Sequence, residues 1–554
     1  MLSAWIGIGC GLRFLNLGGK PLWTDEFGTL GLALGRGFEG VARNEPIGFD
    51  QLMAPMRGGA TAGFLDAARA TVREDVHPPL YFGLLNRWLR FIAPDAGAYV
   101  TAWQMRSLGA ALGAAAIAAM AWLGWISFGT AGAAHASAWL IAVSPFGVFL
   151  SQEARMYSLA VVWIALSLGF FLIALRRARQ GAAPPAWLFV AWALANGLGM
   201  ATHYFQLFAL LAQCAAMAAL AAGDWKAGRP WTRAAGWRMV LFGAATAILA
   251  APFFPILASL PNHEMALWLH RRFDDWHYLI DPLPEILAAT ITFFYILPVQ
   301  NVPNWIAVAS AALAIPFWLW SCFFWRRGYS RLYPDDPSQQ TGAALGWIFL
   351  FSLAILLGIT YFSGMFLTSA LRYSFFLFPI ALLWAAGGID GWIRRPSPRL
   401  RRRLAACAAL GLLGAATVSL DFGYSKTQQP ELVAEEIVAH SAGPVAVAIA
   451  HRRTWCQTAE LQAVAWALER DAGRAESAMP VRYVLATGTK NDPPTYRDLD
   501  RALERLEGPL DFWALNFAPD GKRFERWMRE RGFAPAPLGR DRVGGFLIEH
   551  YRRL

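Results

Sequence analysis

The chain has 554 residues, of which 56% are hydrophobic and 16% charged, against about 25% charge in an ordinary soluble domain. The apolar residues fall in blocks of roughly 17–22, the length that crosses a hydrocarbon core of about 30 Å, which excludes a purely soluble protein. The formal net charge of +11 sits mainly as Arg in short loops between those blocks, so the basicity needs no nucleic acid to account for it.

The chain opens on MLSAWIGIGCGLRFLNLGG. This run has no basic n-region and no cleavage site, so it is not a cleavable signal peptide. It is short and carries Arg13, expected to snorkel at the outer end of a first helix that begins upstream of Met1. About eleven blocks are predicted to span the membrane: 2–17, 106–126, 132–150, 156–175, 187–201, 204–222, 238–256, 304–325, 342–361, 371–389 and 403–420. Loops 176–186, 223–237, 326–341 and 390–403 hold the Arg and Lys residues, and the helix count lets all four be cytoplasmic at once. The loop 18–105, the turns near 151–155 and 202, the loop 257–303 and everything after 420 then face outward. Segment 78–92, with Arg87 and Arg90, reads as an interfacial helix. Segment 286–300 reads as re-entrant or interfacial.

After about 425 the composition changes. GPVAVAIAH, VRYVLATG, LDFWALNF and GGFLIEHY read as strands, with helical ELQAVAWALERDAG and YRDLDRALERLEG between them. The expected architecture is an all-α polytopic membrane domain over 1–420, with 18–105 as its first external loop, and a small soluble α/β domain over 421–554. No Gly-rich phosphate loop follows any strand, and no internal repeat is present. Of the five cysteines, only Cys456 lies outside an apolar block; no CxxC pair exists, and neither a disulfide framework nor a zinc site is indicated.

Five motifs carry polar residues to one face of this topology. PLWTDEF places Asp25 and Glu26 just past the membrane exit, where an acid can serve as general base; Thr24–Asp25 ahead of an apolar run is equally a good helix start. EDVHPPLYF holds His77 and Tyr81, with two prolines that also read as helix punctuation. SPFGVFLSQEARMYSLA places Gln152, Glu153, Arg155 and Tyr157 between two apolar runs, where charge is either functional or paired. ATHYFQLF adds His203 and Tyr204. LTSALRYSFFLFP adds Arg372 and Tyr373, and an Arg there suits a phosphate or a lipid headgroup.

Taken together, the WTDE, HPPLYF, SQEARMYSL, THYF and RYSFFLFP segments resemble the GT-C superfamily of membrane glycosyltransferases. They are most similar to the family 39 type, which includes protein O-mannosyltransferases and the transferases that add aminoarabinose to lipid A. The resemblance covers roughly residues 10–390. It implies a dolichyl- or undecaprenyl-phosphate sugar donor, inversion at the anomeric carbon, and a catalytic Asp in the first loop, which maps to Asp25. Glu26 matches the second acid of that pair. Glu153 occupies the second external acidic motif, where the mannosyltransferases carry an Asp in a different local sequence. Arg372 matches the late Arg that holds the carrier phosphate.

On that reading Arg155, Arg372 and Tyr373 bind the leaving phosphate, the two arginines neutralising its charge, and Asp25 takes the proton of the acceptor hydroxyl. His77, Tyr81, Gln152, Tyr157, His203 and Tyr204 are expected to bind substrate. The motifs leave metal dependence open; a divalent cation, Mg or Mn, would fall to Asp25 and Glu153. The expected partners are the polyprenyl-phosphate sugar donor, a lipid, glycan or protein acceptor, and membrane lipids. The expected location is the cell inner membrane, with the N-terminus cytoplasmic and the active site and C-terminal domain periplasmic. The alternative is a transporter or flippase of lipid-linked sugars, which would carry its charges near the bilayer midplane, often within a repeat.

Overall fold

Each apolar block predicted to span folds as helix in the computed structural model, which describes residues 1–553 except 60, 230, 260–262, 271–275, 334–335, 452–453, 473–479, 488–492 and 518–520. Among the described residues, helices Ala102–Phe128, Tyr157–Arg179, Gln206–Lys226, Arg233–Phe253, Asn304–Tyr329 and Pro337–Ser363 are long and apolar enough to cross a bilayer. The chain is a multi-pass membrane protein. The other expected spans are helical but shorter, bent or, in the 20-residue helix Leu400–Ser419, led by three arginines. Leu2–Phe14 has 13 residues and Ala186–Thr202 has 17. The block 371–389 begins as a tight 3-10 stretch, Leu371–Phe376, and becomes α-helix only at Phe378–Arg394, where Pro379 occupies the first turn. Contacts divide the chain into two compact units. One comprises Met1–Leu17, Val76–Tyr81 and Arg106–Ser425; the other comprises Gly18–Asp75, Phe82–Met105 and Lys426–Leu554.

In the first unit the block 132–150 is not one helix. It is Ala131–Ala142 followed by Pro145–Ser151, bent by 60°. Proline has no N–H and clashes with the carbonyl four residues back, so a helix cannot run through Pro145. Ser144 caps the new start, its Oγ accepting from the Gly147 N–H at 3.0 Å and donating to the Phe293 carbonyl at 2.7 Å. The break leaves carbonyls with no intrahelical partner. Arg13 satisfies them, donating to Ile141 at 2.9 Å and Ala142 at 3.1 Å, with a third bond to Gly9 at 3.1 Å. The expectation that Arg13 snorkels is therefore corrected: its side chain is fully buried, because the broken helix offers it acceptors that lipid does not. The first helix is capped in return. Gln152 Nε2 donates to the carbonyls of Leu12, Arg13 and Leu15 at 3.2, 3.2 and 2.8 Å.

The basic loops share one end of this unit. Arg179 pairs with Asp224 at 2.8 Å, and Arg394 with Asp336 at 2.5 Å. Arg331 Nε donates to the Arg395 carbonyl at 3.0 Å. Arg176 and Thr341 both donate to the Ser127 carbonyl, at 2.6 and 3.2 Å. Helix Tyr157–Arg179 has 23 residues, so its two ends are separated by about 33 Å; Tyr157 and the arginines are at opposite ends.

The second unit holds a five-stranded sheet: β1 (Val445–His451), β2 (Val481–Thr487), β3 (Leu510–Leu515), β4 (Phe533–Val543) and β5 (Phe546–Arg553), in the order β2-β1-β3-β5-β4. The four predicted strands are β1, β2, β3 and β5. Gly473 and Gly488, which end a predicted helix and strand, lie outside the described residues. Strand β4 went unpredicted because Pro535, Pro537 and Gly539 interrupt it. It is an edge strand with a register shift between Pro535 and Arg540, a place where proline is tolerated. Alternation along β1 sends Val445, Val447 and Ile449 to one face and Ala446, Ala448 and Ala450 to the other. Helices Pro430–His440 and Cys456–Ala472 cover the first face, and Pro493–Glu504 and Gly521–Arg529 the second. The first loop joins the first face: Val41, Ile47 and Leu52 enter its core, and Ile47 forms a backbone bridge with Tyr483. Helix Leu80–Ile92 is amphipathic, with Phe82, Leu85 and Leu89 buried and Arg87 and Arg90 exposed.

Arg13→Met keeps the length of the side chain and removes its donors. With two carbonyls orphaned at roughly 1–3 kcal/mol each, the unfolding midpoint of the purified protein is expected to fall by several degrees. An unchanged midpoint would remove the capping role.

Candidate functional site

The turn Gln152–Met156 follows directly from the joint just described, between helices Pro145–Ser151 and Tyr157–Arg179. Gly109 lets helix Ala102–Phe128 lie against it, since a Cβ there would fall 2.7 Å from the Glu153 carbonyl oxygen. Glu153 and Arg155 are consequently 1% and 3% exposed, a costly burial for two charged groups.

Arg155 meets two other motifs. Its Nη2 lies 3.2 Å from His77 Nε2; a guanidinium only donates, so that ring nitrogen accepts. The His77 ring is 6.2 Å from His203, and His203 is 5.6 Å from Tyr157 and 4.8 Å from Phe375. His203 lies in the turn between helices Ala186–Thr202 and Gln206–Lys226, outside both. Its Nδ1 accepts from the Phe205 N–H at 3.2 Å, which puts the proton of the neutral ring on Nε2. That N–H is buried and has no hydrogen-bond partner among the described residues. Burial, with His77 and Arg155 as further causes, holds this imidazole well below the usual histidine range. Phe205 packs on Tyr373 with centroids 5.2 Å apart, and the Arg372 guanidinium lies 5.6 Å from the Tyr373 ring.

Three of the five motifs thus converge directly through His77, Arg155, Tyr157 and His203, and the 371–376 turn joins them through Phe375 and Tyr373. Phe205 and Phe375 are additions that nothing in the sequence singles out, since an aromatic in an apolar run reads as packing. Tyr81 is fully buried. Tyr204 turns to Phe253, centroids 6.1 Å apart. The amide nitrogen of Gln152, expected to meet substrate, is instead committed to the carbonyls of the first helix.

In the second unit, Asp25 and Glu26 occupy the first turn of helix Thr24–Ala33. Every residue of that helix except Asp25 is buried. Glu26 is fully buried and Asp25 only partly so, so of the two acids Asp25 is the one a solute can reach. Among the described residues no group of three or more His, Cys, Asp or Glu is placed to hold a metal ion.

No protein-family model and no curated protein matches the sequence. Among solved structures the chain is similar to ArnT from Cupriavidus metallidurans in its apo state, with 11% identity over 99% of this chain and 97% of that one and a TM-score of 0.39. The same protein bound to undecaprenyl phosphate gives 11% identity, the same coverage and a TM-score of 0.38. The apo oligosaccharyltransferase of Archaeoglobus fulgidus gives 13% identity over 93% of this chain and 69% of that one, with a TM-score of 0.44. Likeness at this level carries no chemistry, which has to come from the side chains.

An unfolded His203 takes up a proton near pH 6.5 that the folded one refuses. Its contribution to stability is therefore complete above about pH 6.5 and lost as pH falls below it. His203→Gln is expected to flatten the loss of thermal stability between about pH 6.5 and 5. An identical pH slope in the two proteins would contradict the buried, neutral assignment.

Proposed function

We propose that the protein is a membrane glycosyltransferase that moves a sugar from a polyprenyl-phosphate carrier to an acceptor hydroxyl on the outer face of the membrane, with inversion. The observation that carries this reading is the cluster of Arg155, His77, His203 and Tyr157 at the end of helix Tyr157–Arg179 opposite its arginines. A lipid-linked phosphate needs donors at the boundary between apolar helices and water, where hydrogen bonds to an anion are strong. Arg155 and the His203 N–H, which has no hydrogen-bond partner among the described residues, are buried donors with the chemistry an anion needs, and Arg372 adds a second guanidinium through the Phe205–Tyr373 contact. The basic ends of the helices favour the cytoplasmic side by the charge rule, which supports a place for the cluster on the opposite, outer face.

In the transfer, the acceptor oxygen forms a bond to the anomeric carbon while the bond from that carbon to the phosphate oxygen breaks. The electron pair leaves with the polyprenyl phosphate, whose charge the arginines neutralise. The acceptor's proton goes to a base, and Asp25 is the assigned one, as the less buried member of its pair. With no enzyme nucleophile between donor and acceptor, the displacement is single and the configuration inverts. Glu153, buried two residues before Arg155, is assigned to the same electrostatic environment.

Purified protein incubated with a set of synthetic radiolabelled polyprenyl-phosphate sugars is expected to turn over one of them. Asp25→Asn should lower that turnover by about 10²–10⁴, the usual contribution of a general base, with donor binding unchanged. Arg372→Gln should weaken donor binding instead. Wild-type turnover by Asp25→Asn would end the base assignment. A protein that binds every donor, transfers none and moves them across liposomes would be a flippase.

A further inference from the structure

The winding of the sheet reverses between β1 and β3. From β1 the chain passes through helix Cys456–Ala472 to β2 on one side; from β3 it passes through helix Gly521–Arg529 to β4 on the other. In open α/β sheets the crevice outside the carboxyl ends of two such strands is where ligands lie, because the helices that follow diverge. In this chain Glu460, one turn into the helix after β1, and Asn516, just after β3, are bonded to each other there: Asn516 Nδ2 donates to Glu460 Oε2 at 3.1 Å. Asn516 adopts φ +54°, a left-handed conformation that asparagine tolerates.

The network continues to the helix that carries Asp25, and its direction is fixed at every link. The Leu547 N–H donates to Asn516 Oδ1 at 3.0 Å, leaving the Asn516 amide nitrogen for Glu460. Gln428 Nε2 donates to the other oxygen of Glu460 at 2.8 Å. Gln428 Oε1 therefore faces the Thr24 hydroxyl, which donates to it. Thr24 is available because it does not cap its own helix: Trp23 is the N-cap and no side chain accepts there. Below this link the helix rests on the same element of the sheet domain. Gly28 faces Trp455, where a Cβ would fall 2.1 Å from the ring, and Phe27 meets Trp466 edge-on at 6.3 Å. The Cys456 thiol, pushed up to about 12 by burial and then by the charges of Glu460, Asp75 and Asp25, places Asp25 in the same neighbourhood.

We propose that Gln428 and Glu460 are positioning residues for Asp25, and that the C-terminal α/β domain uses its switch-point crevice to set the base of the transferase, in place of binding a small ligand there. The inference rests on the reading that Asp25 takes the acceptor's proton. An aspartate one residue from a hydrogen-bonded threonine is held at both backbone and helix level, and general-base catalysis is sensitive to that placement, since a shift of about 1 Å can cost about 10²-fold.

The test uses the full-length protein in liposomes with the donor that supports turnover, and compares Gln428→Glu, Glu460→Gln, the double exchange, and Asp25→Asn. Gln428→Glu opposes two carboxylates, and Glu460→Gln removes the acceptor pair. Each is expected to lower kcat by about 10–10²-fold, with donor binding unchanged. In the double exchange the new amide at position 460 donates to the new carboxylate at position 428 and accepts from Asn516. Thr24 still donates to that carboxylate, so kcat is expected to return to near wild type. If Asp25→Asn is inactive while the single variants turn over like wild type, the positioning role alone is overturned. It is also overturned if the single variants lose donor binding, kcat and thermal stability together and the exchange restores none of them, which is the signature of a general folding defect. Wild-type turnover by Asp25→Asn overturns the base assignment and the positioning role with it.

Discussion

A helix that stops within apolar surroundings must find donors for its last carbonyls. Pro145 forces such a stop at Ala142, and the guanidinium of Arg13 meets it; the stop of Arg13's own helix is met by Gln152. Each broken end therefore supplies the cap of the other. The turn 152–156 takes its place from this interlock, and with it Arg155, the start of helix Tyr157–Arg179, and the ring contacts that bring His77, His203 and Phe375 together. Without the joint, Arg155 would belong to a continuous helix, and a charged side chain on a continuous apolar helix has few partners to choose from.

The elements with strong local signals were readable from the sequence. Apolar blocks of bilayer length became helices, and alternating β-branched runs became β1, β2, β3 and β5. Tertiary partners were not readable. Arg13 bonds to a carbonyl 129 residues away, and nothing within its own block distinguishes a buried cap from a side chain reaching for water. The proline that breaks 132–150 was in plain view, but mean composition over the block hides one residue. In SQEAR a polar side chain has two possible uses, satisfying backbone or doing chemistry. Geometry divides them: Gln152 caps, and Arg155 faces His77, 78 residues away.

The grouping of the first loop with the tail is the feature least visible in sequence. Composition assigns 18–105 to the membrane part, because it follows the first apolar block and contains apolar segments of its own. Its apolar residues nonetheless enter the face of a sheet built from residues beyond 445, through Val41, Ile47 and Leu52. No periodicity encodes that pairing, since the two halves of the core are each incomplete amphipathic surfaces that match only when brought together.

Strand β5 lies between β3 and β4 in the sheet although it is made after both, and its Leu547 N–H begins the chain of bonds that ends on Thr24, 404 residues before Gln428. Closing so long a loop adds little to its entropic cost, so the consequence is one of timing. A ribosome adding roughly 5–20 residues per second leaves on the order of 20–80 s between Thr24 and Gln428, and longer before β5 can enter. Throughout that interval the residues of the first loop that enter the sheet's face, Val41, Ile47 and Leu52, have no sheet to pack on. The bond chain that reaches the helix carrying Asp25 is complete only once the latest strand lies between two earlier ones. Biogenesis thus leaves the Thr24 end of this bond chain without its Gln428 partner until most of the polypeptide has been made.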